Sequence, residues 1–320
     1  MGSDFRKVDA GMGPAMNSTE KRNLRIGLLF ISPWIIGFLG LCVYPIASAV
    51  YFSMCDYSAL SPAAFVGGRN YSELFSDGVF WKALYNTIFF AAFAVPVGLL
   101  VSLSLAVLLS FNVPGRSFFR TVFFLPSLVP MISLAVLWQW MLNGKLGLVN
   151  SLLGPLLHVI NNLFGLAFSP PNWLLDARFA KFGLVFTSVW GVGSAIVIYL
   201  AALQDVPRHL YESAEIDGAG FWSKTFHITL PVISPVIYFN TIMTLIGSLQ
   251  VFAVPYVMTD GGEGPQRSLL FVATYVFQNA FDYSNMGYAC AIGLVLFVII
   301  LLFTLLAMRL SERHIYYAGK

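Results

Sequence analysis

Six long apolar segments constrain this chain more than any other feature of its sequence. Each is longer than the roughly 20 residues that an α-helix needs to cross a bilayer, and none contains Asp, Glu, Lys, Arg or His. Prolines inside them predict kinks rather than breaks, because neighbouring helices can bond the carbonyls that a proline leaves free. The sequence therefore predicts an all-α, polytopic membrane protein with six transmembrane helices, at residues 26–52, 83–110, 121–142, 182–204, 232–259 and 286–308.

The composition supports a lipid-covered surface. Hydrophobic residues make up 58% of the 320 residues and charged residues only 10%, with a mean hydropathy of +0.77, whereas a soluble domain carries charge on roughly a quarter of its residues. The net charge of +3 is small and scattered, so we expect no nucleic-acid partner. The odd number and wide spacing of Cys42, Cys55 and Cys290 exclude a disulfide framework.

The positions of Lys and Arg predict the orientation of the chain in the bilayer. If the N-terminus is cytosolic, twelve of these residues lie on the cytosolic side and six outside, and such a bias marks the cytosolic face. Both termini are therefore predicted to be cytosolic, with tails at 1–25 and 311–320 flanking a permeation domain at 26–310. In the outer stretch 145–181, leucines at near-helical spacing predict an interfacial amphipathic helix rather than a seventh span.

The longest polar segment on the predicted cytosolic side is residues 205–231. Asp205 is suited to cap a helix whose first turn contains Pro207, and Gly218 and Gly220 are suited to end it. A second short helix is predicted from Phe221 until Pro231 begins span five. The helix across the cytosolic face would carry three carboxylates, although an ordinary solvated loop is also compatible with this composition.

The order of residue types in this segment is specific. Glu212, Ala214 and Asp217-Gly218-Ala219, followed by Phe226, Ile228 and Leu230-Pro231, resemble the signature loop of binding-protein-dependent ABC importer permeases, with Ser213 where that family usually has Ala. Other stretches are similar to the sugar branch of the family, and together the resemblance covers most of residues 26–308. These stretches are 65–71, Asn86-Thr87, 116–126, Trp138, 147–150, Trp173-Leu174 and 259–265.

The resemblance implies an ABC type I importer permease of the bacterial inner membrane. Its partners would be a second, homologous permease subunit, two ATPase subunits and an extracytoplasmic solute-binding protein that delivers a sugar or oligosaccharide. No phosphate-binding loop motif occurs in the sequence, so the chain is expected to be no enzyme and to hold no cofactor, with ATP and Mg²⁺ bound by the ATPases. The coupling segment (residues 205–231) would contact the ATPase through Glu212, Ser213, Ala214, Asp217, Gly218 and Ala219.

Uncharged spans argue against a proton relay, which needs ionisable groups at membrane depth, and favour a path for a neutral, hydroxyl-rich solute. Asn240, Thr244 and Ser248 share one helix face because they are four residues apart. Hydrogen bonding to neighbouring helices is the alternative use of such residues. By resemblance, Ser248 and Gln250 fall near the positions where sugar permeases contact substrate. The remaining candidates for the pathway are Trp190, Ser194, Tyr199, Tyr256 and Tyr288.

Two alternative functions are also compatible with the sequence. The same machinery could import a glycerol-3-phosphate-like compound or an anionic oligosaccharide, although the cationic groups would then have to come from the partner subunit. The chain could also be an ATP-independent carrier or a membrane-embedded scaffold, and in that case no ATPase should bind at the coupling segment.

Overall fold

The computed structural model of this chain describes residues 18–58, 60–111 and 114–311, so most of both predicted tails lies outside the described residues. The contacts between residues divide the chain into two compact units, residues 1–51 and 52–320. The helices are α1 Ser18–Phe38, α2 Tyr44–Phe52, α3 Arg69–Ser76, α4 Gly78–Ser110, α5 Arg116–Phe124, α6 Met131–Met141, α7 Leu148–Phe164, α8 Ala180–Trp190, α9 Gly193–Gln204, α10 Arg208–Ile216, α11 Phe221–Lys224, α12 Leu230–Leu249, α13 Ala253–Met258, α14 Val272–Phe277 and α15 Met286–Ser311.

The first unit holds the first predicted span. α1 and α2 are joined by a π-helical turn, Leu39–Val43, and form one apolar helix over Lys21–Phe52 that is long enough to cross a bilayer. None of its most apolar window is buried, as expected of a helix that lipid surrounds. The helix begins at Ser18, so part of the predicted tail 1–25 is helical.

The second unit is organised around α4, which runs for 33 residues through Pro96 without a break. α8, α9 and α12 pack against α4, and α15 packs against α12. Apolar side chains fill three clusters between these helices, which centre on Ile292, Trp138 and Tyr199. The fold is helical as predicted, with one addition: a short antiparallel hairpin, β1 Cys55–Ser58 and β2 Ser61–Phe65, packs on α15.

Two of the predicted spans are bent. Span three consists of Arg116–Leu128 and Met131–Met141 at 100° to each other. Val129 is extended (ψ 129°) before Pro130, as a residue that precedes proline prefers. Span four bends by 47° between α8 and α9. Gly193 lies at that bend against span three, where a Cβ would be 2.5 Å from the Phe123 carbonyl oxygen.

The prediction for span five, residues 232–259, was wrong at both ends. The helix runs without interruption over Phe221–Leu249, because a π-helical turn, Thr225–Thr229, leads directly into α12. Pro231 therefore lies inside this helix, just after the π-helical turn. It ends at Leu249, and α13 is a separate helix. Four helices in the described part of the chain can span a membrane, or six if each bent pair is one span.

The stretch 145–181 contains the predicted extra helix. α7 has 17 residues, shorter than a span, and Gly165 ends it in the left-handed conformation (φ 65°). Asn150 fastens its first turn, since its side-chain amide donates to the carbonyls of Gly144 and Pro171 and its oxygen accepts from the Trp173 indole at 2.8 Å. Two stretches that carried the family resemblance are thus joined by direct contact.

Candidate functional site

α10, in the coupling segment, is a short and well-terminated helix. It spans nine residues, Arg208–Ile216, with Pro207 as its N-cap. Asp205 caps the end of α9 instead of the start of α10, which corrects the prediction. At the other end Gly218 is left-handed (φ 74°), and the N–H groups of Gly218 and Ala219 donate to the carbonyls of Glu215 and Ala214. Glycine is required there, because other L-residues are strained at such a φ.

Two contacts hold α10 against the beginning of the span-five helix. The Tyr211 and Thr229 hydroxyls lie 2.8 Å apart, and the Lys224 ammonium donates to Glu215 at 2.7 Å. Glu215 is largely exposed, so this ion pair contributes at most about 1 kcal/mol. α10 is therefore joined to the helix that also carries Asn240 and Ser248.

Much of the surface of α10 is exposed. Glu212, Ser213, Asp217 and Gly218 are exposed, whereas Ala214 and Ala219 are partly buried. Glu212 forms no ion pair with any residue that the structure describes. Large apolar side chains on and after the helix are also exposed: Ile216 by 88%, Trp222 by 68% and Phe226 by 58%. Trp222 and Phe226 belong to the span-five helix, where lipid can cover them, whereas Ile216 lies beside Glu212 on α10 itself.

A groove of about 550 Å³ lies between α4, α9 and α12 and reaches the α8–α9 bend. Five of the nine predicted pathway residues line it: Ser194, Tyr199, Asn240, Thr244 and Ser248. The remaining lining is mainly apolar and contains no charged side chain. The predicted stripe on span five thus faces a cavity large enough for a small solute.

The hydrogen bonds of the stripe run within α12 itself. The Asn240 amide donates to the Val236 carbonyl at 3.1 Å, and the Ser248 hydroxyl donates to the Leu245 carbonyl at 2.9 Å. The exposed Thr244 hydroxyl has no hydrogen-bond partner among the described residues. None of these hydrogen bonds joins α12 to a neighbouring helix, and the exposed Thr244 hydroxyl is available to a solute.

The other four predicted pathway residues lie outside the groove. Gln250 lines a separate, mostly apolar groove between α12 and α15 together with Ile246, four residues earlier, on the helix face away from the stripe. Tyr256 packs on Phe252 and Phe277. Trp190 packs edge-on against Trp138, at a ring-centre distance of 5.6 Å. Tyr288 donates to Asp77 at 2.9 Å. Their contact with substrate stays a prediction that the groove itself does not support.

Sequence reasoning missed the wall that span two contributes. Gly98 and Ser102 line the groove from α4, and the Ser102 hydroxyl donates to the Gly98 carbonyl at 2.6 Å. Gly98 and Ser102 are four residues apart and share a helix face with Phe90 and Ala94. This spacing in the sequence could have predicted that they line the same wall. Small residues at that spacing let another group approach the helix closely.

A buried polar network near the beginning of α4 was also missed. Burial alone would raise the pKa of the Asp77 carboxyl, but hydrogen bonds from the Tyr275 hydroxyl, the Val79 N–H and the Tyr288 hydroxyl hold it below its ordinary value. The Tyr275 and Tyr288 hydroxyls lie 2.6 and 2.9 Å from the same carboxylate oxygen. Asp77 therefore joins α4 to α14 and α15.

A known protein family matches the part of the chain that forms the groove and the coupling segment. The family described as "Binding-protein-dependent transport system inner membrane component" matches residues 78–315, which include the groove and the coupling segment. The chain belongs to this family. It is thus an inner-membrane permease and a translocation subunit, as the coupling segment predicted.

The permease is similar to curated relatives over nearly its full length. It is 34% identical to the "Probable ABC transporter permease protein YesP" of Bacillus subtilis, covering 95% of each chain. It is 32% identical to the sulfoquinovosyl glycerol transport system permease SmoG of Agrobacterium fabrum (89% of this chain, 90% of SmoG). It is also 32% identical to the trehalose/maltose transport system permease MalF of Thermococcus litoralis (92% and 98%).

A solved structure confirms the fold of the permease. A chain of a bacterial ABC transporter that imports the acidic polysaccharide alginate superposes with a TM-score of 0.76, covering 94% of this chain and 98% of that one at 23% identity. The predicted ABC type I permease architecture is therefore confirmed. Neither an ATP-independent carrier nor a scaffold finds support among these relatives.

Proposed function

We propose that the permease forms half of the membrane pathway of an ATP-driven importer whose cargo is a carbohydrate. The groove carries the proposal: it is uncharged and its lining includes hydroxyl and amide groups, which form hydrogen bonds with a neutral, hydroxyl-rich solute. The relatives that handle trehalose/maltose and sulfoquinovosyl glycerol support this class of cargo. Anionic cargo would need cations from a partner, since none lines the groove.

The remaining partners follow from the same proposal. A second, homologous permease subunit completes the pathway, a solute-binding protein delivers the carbohydrate from outside, and two ATPase subunits bind ATP and Mg²⁺. One ATPase would contact Glu212 and the exposed apolar side chains of the coupling segment. Movement of α10 would reach the groove through the Tyr211–Thr229 and Glu215–Lys224 contacts and the unbroken helix that follows.

The test is reconstitution of the permease with the products of neighbouring transport genes. Liposomes that hold ATP inside should accumulate a labelled oligosaccharide when its binding protein is outside, and ATPase subunits should co-purify with the permease. Accumulation without ATP, or a permease that retains no ATPase, would contradict the proposal and favour the carrier. Accumulation of an anionic phosphodiester instead of a neutral sugar would contradict the proposed carbohydrate cargo but not the proposed ATP-driven importer.

The proposed orientation places both termini and the coupling segment in the cytosol. In a variant without the three native cysteines, Gly68→Cys should react with a membrane-impermeant maleimide added to intact cells, and Ser213→Cys should react only after the cells are opened. Both positions are exposed, and a Cβ at Gly68 meets no atom within 4 Å. Labelling of Ser213→Cys in intact cells would reverse the orientation.

A further inference from the structure

A second cavity of about 550 Å³ opens at the other end of span five from α10. It lies between the end of α6, the turn at 142–145, residues 172–175 and the loop that follows α13. In contrast to the groove, its lining is rich in polar side chains and contains no aromatic ring. We call this cavity the cleft, and its polar residues are Gln139, Asn143, Lys145, Asn172, Thr259 and Asp260.

The loop that forms one wall of the cleft is held in a strained conformation. Asp260 (φ 51°), Gln266 (φ 51°) and Arg267 (φ 59°) are three of the four described non-glycine residues with positive φ. Such residues each cost roughly 1–3 kcal/mol and cluster at ligand-binding positions. The Thr259 hydroxyl bonds the Pro255 and Gly262 carbonyls at 2.8 Å and keeps the loop in place. The loop therefore presents Asp260 to the cleft at an energetic cost.

The polar groups of the cleft suit a neutral ligand with many hydroxyls. Amides donate and accept hydrogen bonds, as hydroxyls do. The Gln139 amide lies 3.3 and 3.4 Å from the two Asp260 carboxylate oxygens, beyond the usual 2.7–3.2 Å, so these weak bonds are easily exchanged. Asn143 accepts from the backbone N–H groups of Lys145 and Leu146, which leaves its NH₂ group available. Lys145 balances the charge of Asp260.

The cleft and the groove lie along the same two chain segments. Met131 at the start of α6 lines the groove, and Gln139 further along α6 lines the cleft. Likewise Val251 lines the groove and Met258 the cleft. Eight residues of helix correspond to about 12 Å, which is longer than one sugar ring. Buried Trp138 lies between them on α6, and its indole N–H has no acceptor among the described residues.

From this arrangement we propose that the cleft is a second carbohydrate subsite, which binds the trailing residues of an oligosaccharide whose leading residue lies in the groove. The inference rests on the proposed carbohydrate cargo and deepens it, because two subsites about 12 Å apart along α6 select a chain of several sugar residues over a monosaccharide. The cleft would provide the additional hydrogen bonds that a longer cargo forms.

The experiment measures how the affinity of the permease depends on chain length. The permease, co-purified in phospholipid nanodiscs with its proposed partner permease and ATPase subunits, is titrated with sugars of one to five glucose, galactose or arabinose residues. Asp260→Gly removes the carboxylate and fits the left-handed backbone. Asn172→Ala removes an amide from the opposite wall. Each should weaken the binding of three-residue and longer sugars by about 2- to 10-fold, as expected for one lost hydrogen bond, and leave monosaccharide binding unchanged.

Gln266→Gly is the matched control, because Gln266 has the same φ in the same loop but is not part of the cleft lining. It should bind every sugar as the unchanged permease does. Equal weakening at all chain lengths, or no change in Asp260→Gly and Asn172→Ala, would overturn the second subsite and leave the carbohydrate cargo intact. If the complex with the unchanged permease bound none of the sugars, the proposed cargo would be contradicted, and the subsite with it.

Discussion

Glu212→Lys is expected to abolish coupled uptake while the permease still inserts into the membrane. Glu212 is exposed on α10 and forms no ion pair within the described chain, so its carboxylate is available to a basic residue of the proposed ATPase. Reversing the charge would set like charges against each other at the interface, which costs several kcal/mol. About 3 kcal/mol corresponds to roughly a 100-fold loss of ATPase binding.

Three measurements on the same membranes check this prediction: the amount of inserted permease, the ATPase that co-purifies with it, and ATP-dependent uptake. Glu212→Gln is the matched control, since an exposed ion pair contributes only about 0–1 kcal/mol. Its uptake should fall by no more than about 5-fold. Normal uptake by Glu212→Lys would show that the ATPase contacts another part of the coupling segment.

The number and approximate position of the spans could be predicted because hydrophobic length is a property of the sequence alone. The positions at which the spans bend or break could not be predicted. Pro96 and Pro235 lie inside continuous helices, whereas the chain turns sharply before Pro130. A proline alone does not determine where a span breaks, since Val129 is extended before Pro130 whereas Pro96 and Pro235 leave their helices continuous. A proline shows where a helix tolerates a bend, and packing determines whether it bends.

The same distinction explains which pathway residues could be predicted. Asn240, Thr244 and Ser248 line the groove together because helical periodicity is reliable as long as the helix continues. That periodicity ends with α12 at Leu249, so the position of Tyr256 on the separate helix α13 could not be inferred. In the sequence, the contribution of α4 to the groove was visible only as Gly98 and Ser102, two small residues that are four positions apart. The cleft combines residues that are more than 100 positions apart.

The largest loss of stability is expected from Asn86→Leu. Asn86 is fully buried, and its side-chain amide donates to the carbonyls of Arg267 and Leu270 at 2.7 and 2.9 Å. Its oxygen also accepts from Lys181 at 3.3 Å. Leucine has a similar size but no donor, so both carbonyls would lose their side-chain donor. A buried carbonyl that loses its donor costs about 1–3 kcal/mol. Since the Arg267 carbonyl keeps a weak bond from the Leu270 N–H at 3.4 Å, the expected destabilisation is roughly 2–4 kcal/mol.

Unfolding of the purified permease in detergent, followed by temperature or denaturant, measures this loss. Asn162→Leu is the matched control, because Asn162 is exposed on α7 and bonds only His158 among the described residues. It should change stability by less than about 0.5 kcal/mol. Thr87→Val tests the same attachment independently, since the Thr87 hydroxyl accepts from the Val272 N–H at 3.1 Å. If Asn86→Leu and Thr87→Val unfolded like Asn162→Leu, the 267–272 stretch would not be held by α4.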